Sequence, residues 1–488
     1  MFLRQLQQQC ATNYPYSMAR NESPWHATAR SLGSAILGCL FGLTLIDVVI
    51  ASNAAVGLSD ASSGTLAVPQ WLYLATGGAV IGASALLASV VTDREFIRSV
   101  HDWRKPVSTG LPLRQGIRYL ARFIGVAGLV IIVYRGLVGP QVPTANAAVI
   151  LVFAGVRAGL TMFVYLVGNV WPALNPWRTI AELLPTLNRQ YPSRIGRWPA
   201  VVGLLALVWL ETVTPVNKEP ALLATAICAY SVVTLAGALV YTPKSWFSNA
   251  DPLSVTFRFY GSVGPLNWSE NGITLRPPGF DLPESGIVSS RADIAFVVAL
   301  IWELTFSGFV TTTTGVEFVR TVVGWGLPPL VVYAVLFVGG YLLFLGAFRL
   351  AAQFARKTGE TYLTPRTMAV QFAPPLLAIA AGYHLAHYFG FFVSLLPSFI
   401  NSVVSPFSPP ANPLVLTLPG WFGALTIAFI LAGHVLSVWF AHAEAYATFP
   451  SRIQAVRSQY PFVVVMIAYT VISLWLISLP TANPAFVS

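Results

Sequence analysis

The sequence predicts an all-α protein, a polytopic integral membrane bundle of about eleven transmembrane helices. Of its 488 residues, 55% are hydrophobic and only 9% are charged, and the mean hydropathy is +0.67. A soluble domain carries about 25% charged residues, so this chain has too few charges to cover the surface of a water-soluble fold. These values argue against a soluble enzyme and a disordered chain. They predict a multi-pass protein of the cell membrane, surrounded by the lipid bilayer.

The individual spans follow from hydropathy. A bilayer core about 30 Å thick requires about 20 apolar residues in a helix. The segments that meet this requirement are 31–52, 71–92, 117–138, 146–168, 198–214, 221–242, 291–313, 327–351, 370–395, 419–442 and 461–480.

The basic residues predict the orientation of these spans. With the N-terminus inside, the 28 Lys and Arg residues all fall in inside segments except Arg135, Arg157, Lys218 and Arg320. Because Lys and Arg concentrate in cytoplasmic loops, we predict an inside N-terminus and an outside C-terminus. The same rule accounts for the net charge of +10, so we expect no nucleic-acid partner.

We expect residues 1–488 to form a single transmembrane domain. Segment 243–290 is polar and rich in turn residues, and it is too short for an independent core. It is therefore predicted to be a small cytoplasmic lobe that rests on the bundle. Segment 396–418 is rich in proline and uncharged, and we predict a loop that caps the outer face. The three cysteines lack CxxC spacing, which argues against a disulfide framework.

Ionisable residues inside the predicted spans are the candidate functional residues. A charge near the bilayer centre costs a few kcal/mol and normally faces the interior of a bundle. Such residues are Asp47, Arg157, Glu211, Glu303, His384, His387, His434 and His442, with Glu444 at an inner helix end. Arg157 and Glu303 lie near mid-span, where the simplest interpretation is a buried ion pair that orders the bundle.

The histidines are unevenly distributed, since four of the six fall in the ninth and tenth spans. His384 and His387 are three residues apart and share one helical face, and His434 can meet them at mid-depth. His442 follows about 12 Å further along the helix of His434. It would serve a second site or the cytoplasmic mouth.

Three interpretations of this cluster are open. In the first, His384, His387 and His434 hold a divalent metal such as zinc, iron or copper, and Glu303 completes the ligand set. In the second, histidines from two antiparallel helices are axial ligands of haem, although their spacing fits a stacked haem pair less well. In the third, the histidines form hydrogen bonds between helices and have a structural role.

Four segments carry a resemblance to a known family. They are Val170 to Arg178 (VWPALNPWR), Tyr191 to Pro199 (YPSRIGRWP), Tyr383 to Phe389, and the stretch from Gly433-His434 to the SQYP motif ending at Pro461. These motifs resemble a family of polytopic bacterial and archaeal membrane proteins called fenitrothion hydrolase-like. The resemblance extends from about residue 130 to residue 478.

The resemblance implies a site at His387, His434 and His442. The family also tends to carry an acidic residue near the end of the seventh span, where this chain reads Thr305-Phe306-Ser307-Gly308. Glu303, about one turn earlier, is the only carboxylate nearby. The chain therefore departs from the family pattern at this position.

The resemblance favours an intramembrane, metal-dependent hydrolase of hydrophobic, organophosphate-type esters. In that hypothesis the metal lowers the pKa of bound water towards 7, and Glu303 accepts the proton. The first alternative is a transporter or metal-handling permease, in which the histidines and Glu303 line a path for an ion and Arg157 balances charge. The second alternative is a membrane subunit of a redox complex that holds haem or copper with further subunits.

Overall fold

The computed structural model describes residues 70–107, 111–269, 272–283 and 285–487. In chain order its helices are α1 Gln70–Val90, α2 Arg94–His101, α3 Leu111–Val138, α4 Ala147–Leu166, α5 Trp171–Leu174, α6 Pro176–Glu182, α7 Trp198–Val213, α8 Pro220–Tyr241, α9 Pro243–Asn249, α10 Pro252–Val263, α11 Arg291–Val310, α12 Thr313–Gly324, α13 Pro329–Thr358, α14 Pro365–Phe372, α15 Leu376–Val404, α16 Phe422–Thr448 and α17 Arg452–Ser478. Within the described ranges, eight helices are long and apolar enough to cross a membrane. These are α3, α4, α8, α11, α13, α15, α16 and α17.

The eight helices correspond to eight of the predicted spans. Spans 71–92 and 198–214 coincide with α1 and α7, whose apolar stretches, Gly77–Leu86 and Trp198–Val213, are shorter than those of the other eight. Span 31–52, with Asp47, lies outside the described residues. The predicted helical fold is confirmed, and eight of the described helices are long and apolar enough to cross a membrane, whereas the count of eleven spans and their orientation stay predictions.

The bundle surrounds α11, which is buried along nearly its whole length. Helix α3 lies at the opposite extreme, since most of its apolar side chains are exposed. Exposed apolar side chains on a peripheral helix fit contact with lipid, whose tails are as apolar as they are. The architecture therefore places α11 at the centre and α3 at the lipid-facing edge.

Two helices of the bundle, α15 and α16, cross in very close contact at Gly382 and Gly433. A Cβ atom on Gly433 would lie 2.6 Å from the carbonyl oxygen of Ala378, and one on Gly382 would lie 2.8 Å from the Cα of Gly433. Small residues at such crossings let helix backbones approach closely in membranes. Glycine is required at this crossing because no larger residue fits without movement.

Segment 243–290 folds into α9, α10 and two strands of a small antiparallel sheet. The strands are β1 Lys105–Val107, β2 Leu266–Ser269 and β3 Gly272–Leu275, in the spatial order β1-β3-β2. Lys105 and Leu266 both pair with Leu275. This sheet joins the segment to the chain just after α2.

Asp251 attaches the same segment to the bundle. The side chain of this fully buried residue accepts hydrogen bonds from the hydroxyl groups of Tyr230 and Thr234 on α8. It also caps α10, because its carboxylate accepts from the backbone N–H of Ser254 at 2.8 Å. Burial raises the pKa of Asp251, although these hydrogen bonds oppose the shift.

The predicted outer loop 396–418 is shorter than expected. Helix α15 continues through Pro397 to Val404, so the loop begins at Ser405. The loop still contacts α15, because the hydroxyl of Ser394 donates to the carbonyl of Leu416 at 2.7 Å. The physical reason for the error is that proline removes one helical hydrogen bond but need not end a long, packed helix.

Candidate functional site

The candidate site is centred on Arg157, near the middle of α4. The stretch Ile150–Leu160 of this helix is π-helical, a rare geometry that is frequently found at functional sites. Gly155 and Gly159 line one face of it, and the rings of Phe399 and Phe392 on α15 approach their Cβ positions to 3.0 and 2.8 Å. This small-residue face brings α15 against α4.

The guanidinium of Arg157 is shared between two carboxylates from different helices. Its Nη1 and Nη2 atoms lie 3.3 and 3.1 Å from the two carboxylate oxygens of Glu303 on α11. Its Nε atom lies 3.3 Å from Glu211 Oε2, on α7. The Glu303 side chain is 1% exposed, whereas Arg157 and Glu211 are 19% and 20% exposed. The buried ion pair between Arg157 and Glu303 is therefore confirmed, and Glu211 joins it as a third member.

Tyr388 and His384, both on α15, complete the surroundings of Arg157. The guanidinium carbon lies 5.0 Å from the centroid of the Tyr388 ring, in a cation–π contact. His384 Nε2 lies 3.1 Å from the carbonyl oxygen of Arg157, and Nδ1 lies 3.2 Å from the hydroxyl of Tyr165. A carbonyl oxygen only accepts, so Nε2 donates to it, and in the neutral ring Nδ1 accepts from Tyr165. Both ring nitrogens of His384 are thus engaged by α4.

His387 points to a different neighbour from His384. Its Cε1 atom lies 3.6 Å from the Cβ position of Gly308 on α11, and the Tyr383 hydroxyl lies 3.5 Å from the same position. The ring of His387 also lies 5.7 Å from the ring of Tyr388. His387 therefore lies beside the arginine cluster, in a position that the missing side chain of Gly308 leaves open.

The two histidines of α16 are held separately. His434 Nδ1 lies 2.8 Å from the carbonyl of Ile430 in its own helix, and its buried Nε2 has no hydrogen-bond partner among the described residues. His442 Nε2 lies 2.9 Å from the carbonyl of Val91, and Nδ1 lies 3.3 Å from Gln459 Oε1. These contacts bind His442 to α17 and to the residue after α1.

The predicted metal ligands do not converge. In the part of the chain that the structure describes, no group of three or more His, Cys, Asp or Glu side chains is arranged to hold a metal ion. The nitrogens of His384 and His442 are engaged by protein groups, and Glu303, the predicted general base, is paired with Arg157. The residues do not fit the predicted metal centre, and we derive no chemistry from one.

Sequence reasoning missed the aromatic part of the site. The rings of Tyr165 and Tyr260 contact His384 edge-on and at a tilt, with ring centroids 5.7 and 5.6 Å from its own. The hydroxyl of Tyr260, a fully buried residue, has no hydrogen-bond partner in the described ranges. The sequence did contain one signal for the close approach of α15 to α4, because the small residues Gly155 and Gly159 lie on either side of Arg157.

Comparisons of the chain with protein families, with curated proteins and with solved structures found no match. The resemblance to the fenitrothion hydrolase-like family therefore stays a prediction.

Proposed function

We propose that this protein is a membrane transporter that binds a proton at the cluster of Arg157, Glu211 and Glu303. The observation that carries the proposal is one buried guanidinium shared by two carboxylates from two other helices. Ionisable residues inside membrane bundles mark substrate and ion pathways and proton relays. The transporter was the alternative to the hydrolase in the sequence analysis, and the geometry favours it.

The charges of the cluster support proton binding. One guanidinium carries +1 and two ionised carboxylates carry −2, so the fully ionised cluster has a net charge of −1. An uncompensated charge is costly in a low-dielectric interior. One bound proton cancels it and leaves a guanidinium paired with one carboxylate. Glu303 and Glu211 are the two groups that can receive the proton.

Access to the cluster differs along the bundle. Glu211 lies two residues before the end of α7 at Val213 and is one-fifth exposed. Glu303 is further inside α11 and is 1% exposed. A proton that enters near the end of α7 therefore meets Glu211 first, and Arg157 lies between it and Glu303.

A row of polar and aromatic side chains continues from Arg157 along α4. His384 contacts the Arg157 carbonyl through Nε2 and the Tyr165 hydroxyl through Nδ1. The Tyr165 ring lies 5.6 Å from the ring of Tyr260. A backbone carbonyl only accepts hydrogen bonds, so these contacts hold His384 in place beside the cluster and do not themselves relay a proton from it.

The hydrolase, metal-handling and haem hypotheses gain no support from this arrangement. A metal-dependent hydrolase requires a metal-bound water and a free general base. Among the described residues no ligand set is assembled, and Glu303 is bound to Arg157. The same missing ligand set weighs against a metal-handling permease.

The test is proton flux in sealed vesicles. Purified protein is reconstituted into liposomes that contain a pH-sensitive dye, and a potassium diffusion potential drives proton entry. We expect acidification above that of empty liposomes and its loss in Glu303→Gln. The control is Glu317→Gln, which changes an exposed glutamate on α12 and is expected to keep the flux. Equal flux in wild type and Glu303→Gln, or none in wild type, contradicts the proposal.

A further inference from the structure

A groove with a basic wall lies between the short helix α2 and the end of α16. Arg94, Arg98 and His101 line it from α2, Ala443 and Ala447 line it from α16, and Pro283 lines it from segment 243–290. Arg94 and Arg98 are four residues apart, and His101 follows three residues later, so the three side chains share one face of α2. Ala443 and Ala447 are also four residues apart, and their small side chains leave space opposite this face. None of the described lining residues is acidic.

Arg94 is held in a fixed position at this groove. Its Nη1 donates to the carbonyl of Tyr446 at 2.6 Å, and its Nη2 donates to the carbonyls of Phe449 and Pro450 at 2.5 and 2.8 Å. The guanidinium carbon also lies 5.4 Å from the centroid of the Tyr446 ring. These contacts place a positive charge on the groove before any ligand binds, and a side chain that is already ordered adds little entropy cost to binding.

No carboxylate balances the positive charge of this wall. Neither Arg94 nor Arg98 forms an ion pair with the residues that the structure describes. Of the acids nearest in sequence, Asp93 caps α2, and Glu444 accepts from the hydroxyl of Thr448 in its own helix. The carbonyl oxygens at the end of α16 offset about half of one charge, so the two guanidinium groups leave about +1.5 at the groove.

Arg98 is the group that a ligand can reach. Its side chain is exposed, and it makes no hydrogen bond or ion pair within the described ranges. Its guanidinium therefore keeps five N–H donors in the planar arrangement that makes two parallel hydrogen bonds to a phosphate or a carboxylate. A phosphate monoester carries about −1.5 to −2 at pH 7. It therefore balances a wall with two guanidinium groups better than the single charge of a carboxylate does.

We infer that the groove between α2 and α16 binds a phosphate monoester group, which Arg98 contacts through two hydrogen bonds and Arg94 attracts as a fixed second charge. The groove lies where α2, α16 and segment 243–290 meet, so a bound phosphate stabilises this junction. A soluble phosphate compound and the headgroup of phosphatidic acid in the bilayer offer the same chemistry. The inference does not depend on the proposed proton-binding cluster.

The test is thermal unfolding of the detergent-purified full chain with inorganic phosphate, at an ionic strength held constant with chloride. We expect the unfolding temperature of wild type to rise with phosphate, because a ligand that binds the folded state stabilises it by mass action. Arg98→Gln should weaken the apparent affinity about tenfold or more. It should leave the unfolding temperature without phosphate unchanged, because Arg98 is exposed. Arg320→Gln, which changes an exposed arginine on α12, should respond to phosphate as wild type does.

A second variant and a lipid probe separate the outcomes. Ala447→Trp, at an exposed position of α16, fills the groove without changing its charge, and it replaces Arg98→Gln as the test if that variant fails to fold. Retention of phosphatidic acid is compared by native mass spectrometry with that of diacylglycerol, which has the chains but no phosphate. If wild type retains phosphatidic acid alone and Arg98→Gln loses it, the inference is supported with a lipid as the ligand. A phosphate response that the variants lose, without lipid retention, supports it with a soluble phosphate compound. If neither probe distinguishes wild type from these variants, the inference is overturned.

Discussion

Removal of Arg157 gives the sharpest test of the charged cluster. In Arg157→Met, a side chain of similar length and no charge replaces the guanidinium. Two carboxylates from α7 and α11 then face each other without the cation that each now contacts at 3.1–3.3 Å. Glu303, at 1% exposure, has no other ionic partner among the described residues.

The expected magnitude follows from the burial of each member. Breaking a buried ion pair by removing one partner costs about 3–5 kcal/mol, and Arg157→Met falls in that range. Glu211→Gln breaks a pair whose side chains are both about one-fifth exposed, so it costs about 1 kcal/mol or less. In Arg157→Met/Glu303→Leu no buried charge of that pair remains, and apolar replacement of buried pairs is often neutral. The double variant should therefore be more stable than Arg157→Met alone.

The assay is a double-mutant cycle on reversible unfolding in mixed detergent micelles. We expect a coupling free energy of about 2–3 kcal/mol between Arg157 and Glu303, at the upper end for residues in contact. Arg320→Met, at an exposed position of α12, is the control for loss of an arginine and should change stability by less than about 0.5 kcal/mol. Coupling below about 0.5 kcal/mol, or a double variant less stable than Arg157→Met, would refute the reasoning.

Three other predictions concern the buried carboxylate of Asp251, the helix crossing at Gly433 and the end of α16 that Arg94 contacts. Because burial raises the pKa of Asp251, the folded state binds its proton more tightly than the unfolded state. The stability that protonated Asp251 contributes is therefore fully present below about pH 4. It is lost as the pH rises through the pKa of Asp251 in the folded state. Asp251→Asn should flatten this dependence in unfolding measured across pH, and an unchanged profile would contradict it. Gly433→Ala places a Cβ 2.6 Å from the Ala378 carbonyl and should lower the free energy of unfolding by about 1–3 kcal/mol. Gly346→Ala should not lower it, because the added Cβ would meet nothing within 4 Å beyond its chain neighbours and its own helix backbone. Arg94→Met removes hydrogen bonds of 2.5–2.8 Å to three carbonyls at the end of α16. We expect this loss to lower the free energy of unfolding by about 1–3 kcal/mol and to speed amide hydrogen exchange at that helix end, which hydrogen-exchange mass spectrometry would measure.

The spans could be predicted because hydropathy depends on local composition alone. Their ends could not, since a helix continues past its apolar stretch wherever its end is capped or packed. Helix α15 passes through Pro397 to Val404, and α16 extends to Thr448. Hydropathy thus located these helices, whereas their ends differ from the predicted ends by several residues.

The histidine cluster could not be predicted because it depends on rotation about each helix axis. His384 and His387 are three positions apart, which separates them by about 60° around the helix. That difference directs one to α4 and the other to α11. The ion pair of Arg157 and Glu303 was easier to predict, because two opposite charges near mid-span have few other partners in a bilayer.

The charged cluster is distributed over three helices, so the proton binding that we propose there would change the forces between them. Arg157, Glu211 and Glu303 belong to α4, α7 and α11. The attraction of Arg157 for each glutamate therefore holds three separate helices together. Protonation of one glutamate removes one of those attractions and leaves the other. The π-helical stretch of α4 is a local departure from α-helical hydrogen bonding of a kind that is frequent at functional sites. A proton that binds at one carboxylate therefore changes the forces between helices, which is the physical requirement for coupling proton binding to transport.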